Sequence, residues 1–185
     1  MKDIIKLGLI LLFVCAVAGG ALSIVNNITK PKIEEQKRLA TLLALTTALP
    51  EAAQGVIEPI IKADTLRYYA GYRDSLKKEL VGYAFIAKQM GYSSEIETMV
   101  GVDTAGTIVG IKILHQLETP GLGTKIEGAD FQTKFINKVT EQVAVKKDGG
   151  EIESITGATI SSRAVTNSVK GGIQKLEREI GGFKK

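Results

Sequence analysis

The sequence predicts an α+β protein: a single N-terminal transmembrane helix, then a domain in which an antiparallel sheet is flanked by helices. Three observations predict it. Residues 7–25, LGLILLFVCAVAGGALSIV, carry no charge, and at about 1.5 Å per residue they reach across a hydrocarbon core of about 30 Å. Residues 81–88, 97–102 and 107–114 are short β-prone runs, the last two joined by the turn tetrapeptide Asp103-Thr104-Ala105-Gly106. Near the C-terminus Val165, Val169, Ile173, Leu176 and Ile180 recur every three or four residues, the spacing of one buried helical face.

Taken in order, the apolar run reads as an uncleaved membrane anchor. The competing reading is a signal peptide with Ala16-Val17-Ala18 as its processing site. Val14 before Cys15 is too large for a lipoprotein signal, so the one cysteine is expected to be an inert thiol within the helix, with no internal disulfide. Lys2 and Lys6 precede the run, while Lys30, Lys32, Lys37 and Arg38 follow it. The charge rule therefore does not favour a cytoplasmic N-terminus. Residues 30–48 continue as an amphipathic helix with Ile33, Leu39, Leu42, Leu43 and Leu49 on or near one side, ending around Pro50. The three β-prone runs follow as an antiparallel sheet. Residues 124–138 show mixed helical patterning around Phe131 and Phe135, and residues 139–145 return to alternation. The closing helix is expected to pack across the sheet.

Composition bounds the partners. With 44% hydrophobic and 24% charged residues, the part beyond the anchor suits one folded domain rather than a disordered chain. A net charge of +4, dispersed, with no Trp and no Lys/Arg block, argues against nucleic acid. Cys-rich metal spacing, a complete dinucleotide fingerprint, a phosphate loop and internal repeats are all missing from the sequence, so no metal site is expected.

The motifs lie in the second half. Thr156-Gly157-Ala158-Thr159 sits where a strand-like stretch gives way to the last helix. Gly157 permits a sharp turn and Ala158 keeps bulk away, and the N–H groups of the first helical turn favour a phosphate there. Ordinary capping is the plainer reading of such Ser and Thr residues. Upstream, Glu118-Thr119-Pro120-Gly121-Leu122-Gly123 contains a Pro-Gly turn signal, which alone marks a surface turn. His115 just before it is assigned no catalytic role, and no catalytic residue is expected.

The string Glu153-Ser154-Ile155-Thr156-Gly157-Ala158-Thr159-Ile160-Ser161-Ser162 resembles the flavinylation motif of the FMN-binding domain family, Asp-x-x-Ser/Thr-Gly-Ala-Thr followed by Ser or Thr. Glu153 stands where that family usually has Asp. The ETPGLG loop is similar to one that lines the flavin in the same family. The resemblance implies FMN bound covalently through a phosphoester to Thr159, with Ser154, Thr156, Gly157, Ala158, Ser162, Glu118, Thr119, Gly121, Leu122 and Gly123 around it. It places Glu118 and Thr119 on the polar edge of the ring, and it implies a separate flavin transferase for maturation.

With anchor, both motifs and the segment Val25-Asn26-Asn27-Ile28-Thr29-Lys30-Pro31-Lys32-Ile33, the whole chain resembles the G-subunit family of Rnf ion-translocating electron-transport complexes. The resemblance implies an electron-relay subunit of a membrane-bound ferredoxin:NAD oxidoreductase, incomplete as an enzyme alone, with the other Rnf subunits and membrane lipid as partners. It also implies a division into residues 1–29, cytoplasmic N-terminus and transmembrane helix; 30–50, helical stalk; and 51–185, an extracytoplasmic FMN-binding domain. The alternatives are the related C subunit of the Na+-translocating NADH:quinone reductase, usually longer, and a membrane-tethered FMN-binding sensory or assembly module.

Overall fold

A computed structural model describes residues 2–62 and 65–183. The chain forms two compact units, Met1–Ala40 and Thr41–Lys185. Helix α1, Lys2–Ala48, supplies all the described residues of the first unit and the opening turns of the second. Within the first unit its apolar side chains, Leu11, Phe13 and Leu22 among them, are exposed all round. A helix apolar on every side is at home in hydrocarbon, and this one is long and apolar enough to cross a membrane. Pro31 lies inside it and leaves the Asn27 carbonyl without its usual donor.

The second unit is built on a five-stranded antiparallel meander. The strands, β1 (Val56–Lys62), β2 (Thr65–Tyr72), β3 (Leu80–Met90), β4 (Glu95–Asp103) and β5 (Ile108–His115), lie side by side in chain order. The three β-prone runs of the sequence are β3, β4 and β5, and Asp103–Thr107 is the expected hairpin connection: the Asp103 carboxylate accepts from the Ala105 and Thr107 N–H groups at 2.9 and 2.8 Å. Strands β1 and β2 were not expected. Pro59 interrupts the run VIEPIIK and argues against a central strand; the structure puts that strand at the sheet edge, where a missing N–H is tolerated.

Period-two alternation then sorts the side chains onto two faces. One face carries Phe85, Ala87, Ile96, Val100, Val102, Ile111 and Ile113 against helix α3, Thr159–Ile180. Val165, Val169 and Ile173 of that helix are completely buried there, Leu176 nearly so, and Ile180 packs at the margin. Each such side chain contributes about 1.5–3 kcal/mol relative to exposure. The other face receives the end of α1, with Ala44, Leu45, Ala48 and Leu49 packed on Ala84 and Met99. The approach is close: a Cβ on Gly101 of β4 would fall 1.9 Å from the Ala48 carbonyl oxygen.

Residues 124–138, whose helical patterning is mixed, form a 3-10 turn (Gly123–Glu127), a single helical turn α2 (Ala129–Gln132) and another 3-10 turn (Thr133–Phe135). Gly128, extended at φ −66° and ψ 143°, separates the first from the second. Residues 139–145 are not a strand: the Gln142 side chain accepts from the Val139 N–H at 3.0 Å and Thr140–Gln142 closes into a 3-10 turn, leaving one bridge between Val145 and Ile152. Val143 and Val145 still reach the core.

Candidate functional site

The start of α3 is shaped by its own hydroxyls. Gly157 adopts φ +80°, a left-handed conformation that costs glycine nothing. The Ser162 hydroxyl accepts from the Ile155 N–H at 3.1 Å and donates to the Ala158 carbonyl at 2.9 Å, which closes the turn from inside the helix. Ala158 takes the N-cap position, so no side chain covers the helix end. The N–H groups of Thr159, Ile160 and Ser161 therefore have no partner within the helix. The Thr159 hydroxyl makes no hydrogen bond to any described residue, whereas the hydroxyls of Ser161 and Ser162 are both engaged.

This helix end opens on a cavity of about 500 Å³ lined by Tyr92, Glu118, Thr119, Leu122, Gly123, Gly157, Ala158, Thr159, Ile160 and Ser161. That volume lies within the range of small-molecule sites. Three segments distant in sequence converge there: the turn between β3 and β4, the ETPGLG loop after β5, and the TGAT turn. In the loop, Gly121 has φ +75° and its N–H donates to the Thr124 hydroxyl at 3.0 Å. Leu122 leans over Gly157, since a Cβ there would lie 3.2 Å from Leu122 Cδ2. Tyr92, Leu122 and Ile160 are exposed at the cavity and give it an apolar rim. No Lys or Arg lines it among the described residues, so an anion would be met by the helix N–H groups and neutral hydroxyls rather than by a cationic side chain.

Glu118 is the one carboxylate of the lining, and it is 4% exposed. Its Oε1 accepts from the N–H groups of Ser93 and Ser94 at 3.0 and 3.1 Å, and its Oε2 from the Tyr92 N–H at 3.1 Å and the Ser161 hydroxyl at 2.5 Å. Burial pushes its acidity constant up, but the Ser161 hydroxyl and the three N–H groups outweigh that and hold the carboxyl below its ordinary value.

The structure thus brings Thr159, Gly157, Ala158, Glu118, Thr119, Leu122 and Gly123 to one cavity. Ser154, Thr156, Gly121 and Ser162 are not part of its lining; Ser162 shapes the turn instead. Glu118, expected on the edge of a ring, has both oxygens bonded to protein donors. Tyr92, Ile160 and Ser161 are lining residues that sequence reasoning missed. Ile160 and Ser161 sit beside the TGAT motif, so adjacency could have flagged them; nothing in the sequence marks Tyr92.

A meander sheet with a C-terminal helix whose uncapped first turn opens on an apolar-rimmed cavity can hold a small molecule that carries a phosphate, and the similarity to known proteins gives the class of that molecule as a flavin. Residues 91–174 match the family model described as the FMN-binding domain, and residues 1–47 that of the RnfG N-terminal region. The G subunit of the Na(+)-translocating ferredoxin:NAD(+) oxidoreductase complex of Acetobacterium woodii is 34% identical over 94% of this chain and 91% of its own length. The G subunit of the ion-translocating oxidoreductase complex of Escherichia coli K12 is 34% identical over 92% and 89%. The chain belongs to this G-subunit family of ion-translocating oxidoreductase complexes. The fold is similar to the solved structure of the C subunit of the Na(+)-translocating NADH-quinone reductase of Parabacteroides distasonis, with TM-score 0.50, 22% identity and coverage of 63% of this chain and 64% of that one. NqrC of Shewanella oneidensis gives TM-score 0.50 and 19% identity over 62% and 60%.

Proposed function

We propose that this chain is the electron-relay subunit of a membrane-bound ion-translocating ferredoxin:NAD oxidoreductase complex, holding FMN as a phosphoester on Thr159. The observation that carries the reading is Thr159, a residue of the cavity lining at the uncapped start of α3 whose hydroxyl bonds to no described residue. Accessibility sets Thr159 apart from its neighbours: Ser161 and Ser162 are buried, whereas Thr159 is half-buried and open to an incoming phosphoryl group. The residues present fit the cofactor: first-turn N–H groups for a phosphate, positive φ at Gly157 to expose the threonine, and Leu122, Ile160 and Tyr92 as apolar walls that exclude water. Thr119 adds a hydroxyl to the lining.

When bound, the flavin supplies the redox chemistry, and the protein's part is binding, orientation and electrostatics. Attachment needs a flavin transferase that passes FMN from FAD to the Thr159 oxygen, releasing AMP. No residue of the cavity is assigned acid or base work, and complete activity requires the other subunits of the complex. Residues 1–29 anchor the protein in the membrane, 30–50 connect, and the body from 51 onward lies on the extracytoplasmic side, where a covalent tether prevents loss of a cofactor that could not be replaced.

The test is to express wild type and Thr159→Val with a flavin transferase and to compare intact mass and fluorescence of the denatured chains. Valine keeps the shape and removes the oxygen, so wild type gains the mass of FMN less water and the variant gains none. FMN on the variant, or none on wild type while a control substrate is modified, removes the chemical basis of the relay.

A further inference from the structure

Resting on the flavin reading above, we propose that Glu118 is a positioning residue: its fixed negative charge locks the three cavity segments together and lowers the reduction potential of the group held there. Every partner of the carboxylate is a donor. Three are consecutive backbone N–H groups, of Tyr92, Ser93 and Ser94, a fourth is the Ser161 hydroxyl on the first turn of α3, and the Ser94 hydroxyl is a longer fifth at 3.5 Å. The clamp has a second tier. The Ser94 hydroxyl accepts from the Leu117 N–H at 2.7 Å, and the Gln116 side chain accepts from the Glu118 N–H at 2.6 Å. Space for the carboxylate is reserved by two glycines. A Cβ on Gly91 would lie 2.6 Å from Oε1, and one on Gly123 would lie 2.7 Å from the Glu118 Cβ.

Such a nest of donors recognises charge as well as shape. A glutamine of the same size would turn an NH₂ group toward N–H donors and leave at least one of them unsatisfied. No cation pairs with Glu118 among the described residues. The carboxyl's preference for the ionised form, set by these donors against its burial, keeps the charge in place at neutral pH. Electrons arriving in the cavity then meet a buried negative charge offset only by dipoles, and in a medium of low dielectric that repulsion is weakly screened. Removing the charge makes reduction easier. Removing one of its donors while keeping the charge makes reduction harder.

This pair of opposite signs is the test, made on the full-length chain. With flavin attached, Glu118→Gln moves the midpoint potential up and Ser161→Ala moves it down, while a residue that merely fills space would give shifts that follow stability and share a sign. No shift in Glu118→Gln, or the same sign in both, overturns the proposal. If Glu118→Gln does not fold, Ser161→Ala decides: a downward shift supports the proposal, and no shift or an upward one overturns it. In flavin-free protein, Glu118→Gln speeds amide exchange at Tyr92, Ser93 and Ser94 several-fold, and unchanged protection there removes the clamp. A wild type that carries no covalent flavin strikes the Thr159 reading; the exchange measurement then decides the clamp, and the opposite-sign test of the potential is made with FMN bound without a covalent link.

Discussion

At the scale of single residues, Glu118 shows how far chemistry can be separated from sequence. Its donors lie 24 to 26 residues upstream and 43 residues downstream, and no local pattern announces them. The ETPGLG motif points to the loop but not to the direction in which its first side chain turns. The position of Thr159 at the cavity was legible for the opposite reason: glycine, alanine and helix start fall within four consecutive residues. The donors around Glu118 also set a pH dependence. Its folded acidity constant lies below the unfolded value of about 4.3, so the bonded carboxylate adds stability that is complete above that value and is lost as pH falls through the folded one. We expect Glu118→Gln to cost about 2 kcal/mol near neutrality, and the gap from wild type to narrow steadily below about pH 4. Asp148 and Glu151, lowered by hydrogen bonds from Arg163 and Lys138 respectively, titrate alike in both proteins and cancel from the difference. Urea unfolding from pH 7 to 3 measures it, and a gap constant across that range contradicts the assignment.

At the scale of elements, the sequence pattern was clearest where periodicity and burial coincide. The α3 stripe and the alternation of β3 to β5 both follow from one buried face each. Strand β1 was hidden because the proline that marks an edge strand also breaks the pattern of a strand, and residues 139–145 misled because two buried valines imitate alternation while the backbone turns on itself. The helix α3 is what carries the cavity, so its seating controls the site. Ile173 lies well inside it with no exposure, nearly four turns from Thr159 at about 3.6 residues per turn. We expect Ile173→Ala to lower stability by about 2–5 kcal/mol, while a folded fraction still accepts covalent FMN at Thr159. Denaturant unfolding gives the first quantity and intact mass the second. A loss below 0.5 kcal/mol, roughly the size of an ordinary surface substitution, would mean that α3 is not held by this face.

At the scale of the whole molecule, the apolar part of α1 and the placement of the body can be tested with the chain's own scarcity of thiols. Cys15 is the one cysteine, and it lies within the uncharged run. It is exposed on the isolated helix, so only surrounding lipid would shield it from an aqueous reagent. In intact cells Cys15 is therefore expected to resist a membrane-impermeant maleimide and to react after denaturation in detergent. Ser75, exposed in the connection between β2 and β3, is a suitable reporter for the body. In a Cys15→Ser background, the proposed extracytoplasmic placement of the body predicts that Ser75→Cys labels in intact cells without permeabilisation. Charge counting could not supply that assignment, since basic residues flank both ends of the run and the longer cluster follows it. Labelling of Ser75→Cys only after the membrane is opened would put the body in the cytoplasm, where FMN can be replaced from solution and the reason for a covalent tether disappears. Labelling of Cys15 in intact cells would show instead that residues 7–25 do not lie in the bilayer.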